Sequence, residues 1–243
     1  MIRRLDDVVL FGVDSARSRA YLSLLVQAGL RPAACVVVPS VSGAPCAAPE
    51  PTDVFDNLTP LAEAARAAGI AVSLAPEAEI NAEATVAALA ACPQRVVIFS
   101  GPSGGLVGAP LFATGKTFLH VHPGRLPAFR GSTTIYYGLL AEGCIWATAI
   151  RLVPDIDRGP VLDAMRAELP ADRLLLDRIY DPAIRARLMV RLMKRYAETG
   201  ELPERPQSSE DEATTYYVIH PVLKHIALLS RSVGKGNAGE AGA

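Results

Sequence analysis

The sequence predicts an α/β protein: a Rossmann-like, mostly parallel sheet with helices on both faces, followed by a short helical C-terminal extension. Three observations predict it. Short apolar runs alternate with helix-length segments from residue 8 to residue 121. Each run is apolar throughout, as in strands buried on both faces. Gly29, Gly69 and Gly200 stand just past segments of helical composition, where a left-handed residue ends a helix.

Residues 8–13 form the first strand, and Asp14-Ser15 after it supply a helix N-cap. That helix runs to Ala28, and residues 34–38 form the second strand. Residues 39–57, rich in Pro, Ser, Ala and Gly, read as a long mobile loop. A helix over 59–68, a strand over 70–74, an Ala-rich helix over 77–91 and a strand over 95–99 follow. The next strand, residues 117–121, runs into His120-Val121-His122-Pro123. Beyond Ser132 the pattern changes to a helix over 133–141 and two strands, 145–153 and 160–166, flanking an acidic loop. Asp181-Pro182 reads as the N-cap and first turn of a strong helix. Ile184, Leu188, Leu192 and Tyr196 share one face of it, and Arg185, Arg187, Arg191, Lys194 and Arg195 are assigned to its solvated surface. Residues 216–229 are expected to pack back on the body, as a cap or as the interface of a homodimer. The expected organisation is a domain over 1–168, an extension over 169–230 and a disordered Gly/Ala-rich tail over 231–243.

A chain of 243 residues is long enough for one α/β domain with a substantial core. Lys and Arg number 24 against 25 Asp and Glu, so nothing electrostatic points to a nucleic-acid partner. No apolar run approaches the roughly 18 residues that span a bilayer, so no membrane partner is expected. Cys35, Cys46, Cys92 and Cys144 form no CxxC pair, which argues against a zinc site or a disulfide framework. Reduced cysteines in a cytoplasmic protein are the expectation.

In doubly wound sheets ligands bind outside the carboxyl ends of the strands. Gly12, Gly101, His122 and Asp157 all fall at or just past such ends. A His-X-His pair on a regular strand points both imidazoles to one side. With Asp157 this gives three readings: an acid–base site, a metal-dependent hydrolase using two His and one carboxylate, or histidines with a purely structural part. His122-Pro123 begins a turn, which works against the strand geometry that a metal site needs.

The loops also resemble one family. The folate-dependent formyltransferases, including the glycinamide ribonucleotide and methionyl-tRNA enzymes, carry Asn-X-His-Pro-Ser-Leu-Leu-Pro, then Tyr/Phe-Arg/Pro-Gly, then Asp-X-Gly. The matching residues are His120-Val121-His122-Pro123-Gly124-Arg125-Leu126-Pro127, Phe129-Arg130-Gly131 and Asp157-Arg158-Gly159. The likeness covers residues 6 to 168. It implies a formyltransferase fold and transfer of a formyl group from N10-formyltetrahydrofolate to an amine, with tetrahydrofolate as product. His122 and Asp157 would be catalytic, with His120 beside them. Ser103, Gly104, Gly105, Leu106, Val153, Asp155 and Ile156 would face the cofactor. Gly12, Asp14, Arg130, Gly131, Ser132 and Thr133 would face the acceptor, and no metal is implied.

His120 departs from the pattern, standing where the family has Asn. A neutral imidazole can still donate one N–H to developing negative charge, as that Asn does. The acidic loop is one residue shorter than in the family, and Ser103-Gly104-Gly105 is smaller and more polar. The length after residue 168 is too short for the tRNA-holding barrel alongside a long helix. The expected acceptor is therefore a small-molecule amine: an amino sugar, an amino acid or a specialised metabolite. The alternatives are a non-catalytic folate- or metabolite-binding relative and the metal-dependent hydrolase built on His120, His122 and Asp157.

Overall fold

Val8, Val9, Leu10 and Phe11 are fully buried, and they set the first strand, β1 (Arg3–Val13), at the centre of the sheet. β-Branched and aromatic side chains suit a pleated surface covered on both sides. The computed structural model describes residues 2–40, 49–102, 104–207 and 214–229. After β1 come α1 (Ala16–Gln27), β2 (Leu30–Val38), α2 (Leu61–Ala67), β3 (Ala71–Leu74), α3 (Glu83–Ala90), β4 (Val96–Ser100) and α4 (Ala109–Phe112). The second half holds β5 (Thr117–His122), β6 (Phe129–Gly131), α5 (Thr134–Glu142), β7 (Ile145–Arg151), β8 (Val161–Ala167), α6 (Asp181–Thr199), β9 (Thr214–Tyr216) and α7 (Pro221–Leu229).

Seven strands lie in the order β3-β2-β1-β4-β5-β7-β8. The first five are parallel, whereas β7 runs antiparallel to β5 and β8 antiparallel to β7. The chain winds outward from β1 to β3 and then returns on the other side of β1 with β4. That reversal opens a crevice at the carboxyl ends of β1 and β4. Successive residues alternate between the two faces. Val9, Phe11, Val97, Phe99 and Phe118 meet Leu89 of α3 and Leu111 of α4. Leu10, Cys35, Ile98 and Leu119 lie in the core that also takes up α1, α2 and α6. Ile184, Leu188 and Leu192 are buried in that same core, each contributing roughly 2 kcal/mol.

Several expectations need correction. Helix α3 starts at Glu83 rather than residue 77. The Thr85 hydroxyl donates to the Glu77 carbonyl at 3.2 Å, and Asn81 is committed to residues 106 and 108, which holds 77–82 in turns. Residues 41–48 of the expected mobile loop lie outside the described residues. Its later part is packed: Phe55 and Asn57 are buried, and the Asn57 amide donates to the Glu50 carbonyl at 2.9 Å. Asp181 is no N-cap, because a π-helical turn over Leu176–Tyr180 already carries helical backbone into α6. Its carboxylate accepts instead from Arg185 Nε at 2.9 Å, which draws Arg185 into the interior, 8% exposed. Arg187, Arg191, Lys194 and Arg195 do stay on the surface.

The extension is not purely helical. Strand β9 pairs in parallel with β6 as a separate two-stranded sheet. Helix α7 buries Ala227 but leaves Val222, Leu223, Ile226 and Leu229 exposed. The expected tail, 231–243, and Cys46 lie outside the described residues; Cys35, Cys92 and Cys144 are free thiols. No helix among the described residues is long and apolar enough to cross a membrane.

Candidate active site

Strand β5 stays regular through His122, which pairs with Thr148 of β7 as His120 pairs with Ile150. The turn expected at His122-Pro123 therefore does not disturb the strand. The two imidazoles leave β5 on one face, as the period of two requires.

The His122 ring is buried, and both its nitrogens are engaged. Nδ1 lies 3.3 Å from Asp157 Oδ1. Nε2 lies 2.7 Å from the Phe129 carbonyl oxygen and 3.0 Å from Thr134 Oγ1, whose own hydroxyl donates to Pro123 O.

Asp157 is fixed by three contacts. Its Oδ2 accepts from the Gly131 amide at 2.8 Å, and its Oδ1 faces His122. Its carbonyl, with that of Gly159, accepts from Gln207 Nε2 at 2.8 and 2.7 Å. The Gln207 side-chain oxygen, Oε1, in turn accepts from Arg130 Nη2 at 2.9 Å. These bonds hold Asp157 in the left-handed region, φ 54°, which Asp tolerates better than most residues. Gly159 lets the loop close on β7: an added Cβ would lie 1.7 Å from the Arg151 carbonyl oxygen. Burial pushes the Asp157 carboxyl up, but the His122 contact and the Gly131 N–H outweigh it and hold the group below its ordinary value.

His120 differs. Its Nδ1 is enclosed and has no hydrogen-bond partner. Burial first, then the cations Arg17 and Arg185, hold the ring well below the usual imidazole range, with Asp157 pulling the other way. The ring is neutral at pH 7. It borders a cavity of about 290 Å³ together with Asp157. The cavity walls are Phe99 and Phe112 on one side, Gly105 to Gly108 on a second, and Leu152, Val153, Pro154 and Ile156 on a third. The Asn81 amide steadies the second wall, donating to Leu106 O at 3.0 Å and accepting from Gly108 N at 2.7 Å. Such walls suit a flat, weakly polar ring system whose edge meets His120 and Asp157, so the cavity fits the ring system of a folate.

Of the expected cofactor-facing residues, Gly105, Leu106, Val153 and Ile156 line this cavity. Gly104 does not, Asp155 sits on an exposed turn, and Ser103 lies outside the described residues. The expected acceptor-facing residues are scattered. Gly12 is needed for packing, since a Cβ there would lie 2.2 Å from Ser100 O. Asp14 is spent on Arg19, at 2.7 Å, and on the Leu61 amide that opens α2. Arg130 is buried against Gln207. Gly131, Ser132 and Thr133 hold the extension: Ser132 N donates to Tyr216 O, and Thr133 Oγ1 accepts from Ile219 N, both at 2.9 Å. His122 itself does not border the cavity; it is in contact with Asp157, which does. Phe99, Phe112, Asn81 and Gln207 went unread in the sequence. Among the described residues, no group of three His, Cys, Asp or Glu side chains could hold a metal ion.

No protein-family model matches the chain. A methionyl-tRNA formyltransferase of Chloroflexus aggregans is 34% identical over 102 residues, 40% of this chain and 32% of that protein. The chain thus spans about a third of the length of such a curated relative. A sugar N-formyltransferase from Shewanella superposes with a TM-score of 0.57 at 14% identity, covering 91% of this chain and 86% of that one. The chain has the fold of the formyltransferase superfamily. HypX from Aquifex aeolicus, solved in complex with tetrahydrofolic acid, superposes with a TM-score of 0.52 at 14% identity over 88% of this chain and 30% of that one.

Proposed function

We propose that the protein transfers a formyl group from N10-formyltetrahydrofolate to the primary amine of a small molecule. One observation carries the reading: a neutral donor, His120, and an ionised carboxylate, Asp157, border the same apolar cavity. The cofactor supplies the activated formyl group. Phe99, Leu106, Val153 and Ile156 hold its ring system and exclude water. His120 donates a ring N–H to the formyl oxygen as negative charge develops there, a contact worth about 3 kcal/mol in a preorganised site. The Asp157–His122 pair takes the proton released as the amine forms its bond to the formyl carbon, and returns one to the nitrogen whose bond to that carbon breaks. His122 thus acts through Asp157, and its bonds to Phe129 and Thr134 hold the pair in place.

Calorimetry with N10-formyltetrahydrofolate, paired with a tetrahydrofolate-release assay over a panel of amines, tests this. His122→Ala and Asp157→Ala are each expected to lower kcat by about 10³-fold while folate affinity stays within about threefold. Full activity in both variants, or no folate binding by the unaltered protein, overturns the assignment. Folate binding without turnover on any amine would mark a binding protein instead.

A further inference from the structure

A surface helix ordinarily turns its apolar stripe to the core; α7 turns most of it outward. Ala227 is buried, as is Ile219 just ahead of the helix, and Leu228 is partly covered. Yet Val222 is 59% exposed and Leu229 64%, with Leu223 and Ile226 exposed between them. Tyr217 and Val218, which lead into the helix, are exposed as well. Elsewhere the exposed large apolar residues stand singly along the chain, or border the cavity as Leu106 and Ile156 do. The face is held firmly from behind. Thr133 Oγ1 accepts from Ile219 N at 2.9 Å, α7 packs on α5, and Lys224 Nζ is paired with Asp177 and lies 5.0 Å above the Tyr136 ring.

We infer that a second copy of this chain covers the face, α7 packing against α7 across a two-fold axis. Three observations select that occupant. The neighbouring sequence does not supply one: residues 230–243 carry a single large apolar side chain, Val233, and residues 208–213 carry none. The face offers a charged partner nothing to pair with, because Lys224 is the only Lys, Arg, Asp or Glu of α7 and it is committed to Asp177. Val222, Ile226 and Leu229 recur at i, i+4 and i+7, the seam along which two antiparallel helices pack, so the face is complementary to itself. The area is of the right size. The six side chains expose on the order of 600 Å², at the upper end of what a monomer leaves in one patch and near the roughly 800 Å² per partner of a standard interface. None of this depends on the reaction proposed for the cavity.

Sedimentation of the full chain at micromolar concentration is expected to give twice the 25.7 kDa of one copy. Ile226→Glu sets a carboxylate from each copy in the middle of the seam and should weaken association by at least about 100-fold. Circular dichroism should show that variant folded, since Ile226 is exposed in the single chain. Leu74→Glu, at a comparably exposed position on the edge strand β3, should leave the dimer intact. Ile226 also falls near the two-fold axis, so Ile226→Cys should link two copies on mild oxidation more readily than Leu74→Cys or the unaltered protein. That comparison decides the matter if Ile226→Glu fails to fold. A monomer overturns the inference, and a monomer that binds phosphatidylcholine vesicles through α7 assigns the face to a membrane surface instead. A dimer that persists in Ile226→Glu, or an Ile226→Cys chain that links no faster than Leu74→Cys, puts the interface elsewhere and overturns it too.

Discussion

The two histidines of β5 handle the same chemical group in opposite ways. On the loop side His122 has Asp157, Phe129 O and Thr134 within hydrogen-bond reach, and the loop around it is tied to the extension through Gln207. On the cavity side His120 keeps an enclosed nitrogen without a partner, between apolar walls and two guanidinium groups. An unsatisfied buried nitrogen costs roughly 1–3 kcal/mol. The fold bears that cost at the ring that borders the cavity, and spares it at the ring that holds Asp157 in place.

Exchanging the two positions sharpens the contrast most. His122→Asn is expected to lower formyl transfer by about 10³-fold, because Asn cannot hold Asp157 and bridge to Phe129 together. His120→Asn keeps a neutral donor at the cavity and should stay within about tenfold of the unaltered rate. Comparable losses in the two variants would break the distinction. Next in size, Gly159→Ala should destabilise the protein by about 3 kcal/mol in urea unfolding, since its Cβ meets the Arg151 carbonyl. A loss under about 0.5 kcal/mol would mean that the acidic loop adjusts freely.

A smaller effect isolates the extension. Gln207→Ala removes both bonds to the acidic loop and should lower kcat about tenfold with little change in KM. Raising KM alone would place Gln207 in substrate binding instead.

The mildest prediction concerns pH. The folded ring of His120 titrates below its ordinary value of 6.5, so below that pH the unfolded chain binds a proton that the folded chain refuses. Stability should therefore fall on acidification from pH 6.5 towards 5, by up to about 1.4 kcal/mol per pH unit. The Asp157 contribution has a separate window. Its folded value lies below 3.8, so its stabilisation is complete above that pH and is lost only further down. His120→Asn should flatten the first window and leave the second untouched, as chemical denaturation at a series of pH values can show.

The same contrast explains what was legible in the sequence. β1, β2, β4 and β5 could be read because uninterrupted apolar runs have few other uses, and Gly29, Gly69 and Gly200 mark helix ends by their backbone freedom. His120, His122 and Asp157 could be read from loop motifs at strand ends, and Leu106, Val153 and Ile156 from their place beside them. Arg185 could not, because nothing in a run of arginines reveals that Asp181 turns one of them inward. Phe55 hides in a segment whose Pro, Ser and Gly suggest looseness, although its own ring is core material. Gln207 is separated from Asp157 by 50 residues, and no local signal marks such a contact. Ser132 and Thr133 carry a similar long-range contact: their polar groups bond to β9 and Ile219, far along the chain.

The dependence of the acidic loop on β9 and Gln207 has a consequence for synthesis. At a translation rate of about 5–20 residues per second, Tyr216 is made roughly 3–12 s after Asp157. From residue 167 onward a nascent chain has every strand of the main sheet, yet it lacks the partner of β6 and the Gln207 clamp until β9 and Gln207 are made. The sheet can therefore form on the ribosome well before the reacting groups are set. A ribosome-tethered chain halted at residue 205 should resist proteolysis across β1 to β8 while leaving the loop around Asp157 open to cleavage, and a chain extended past Tyr216 should close it.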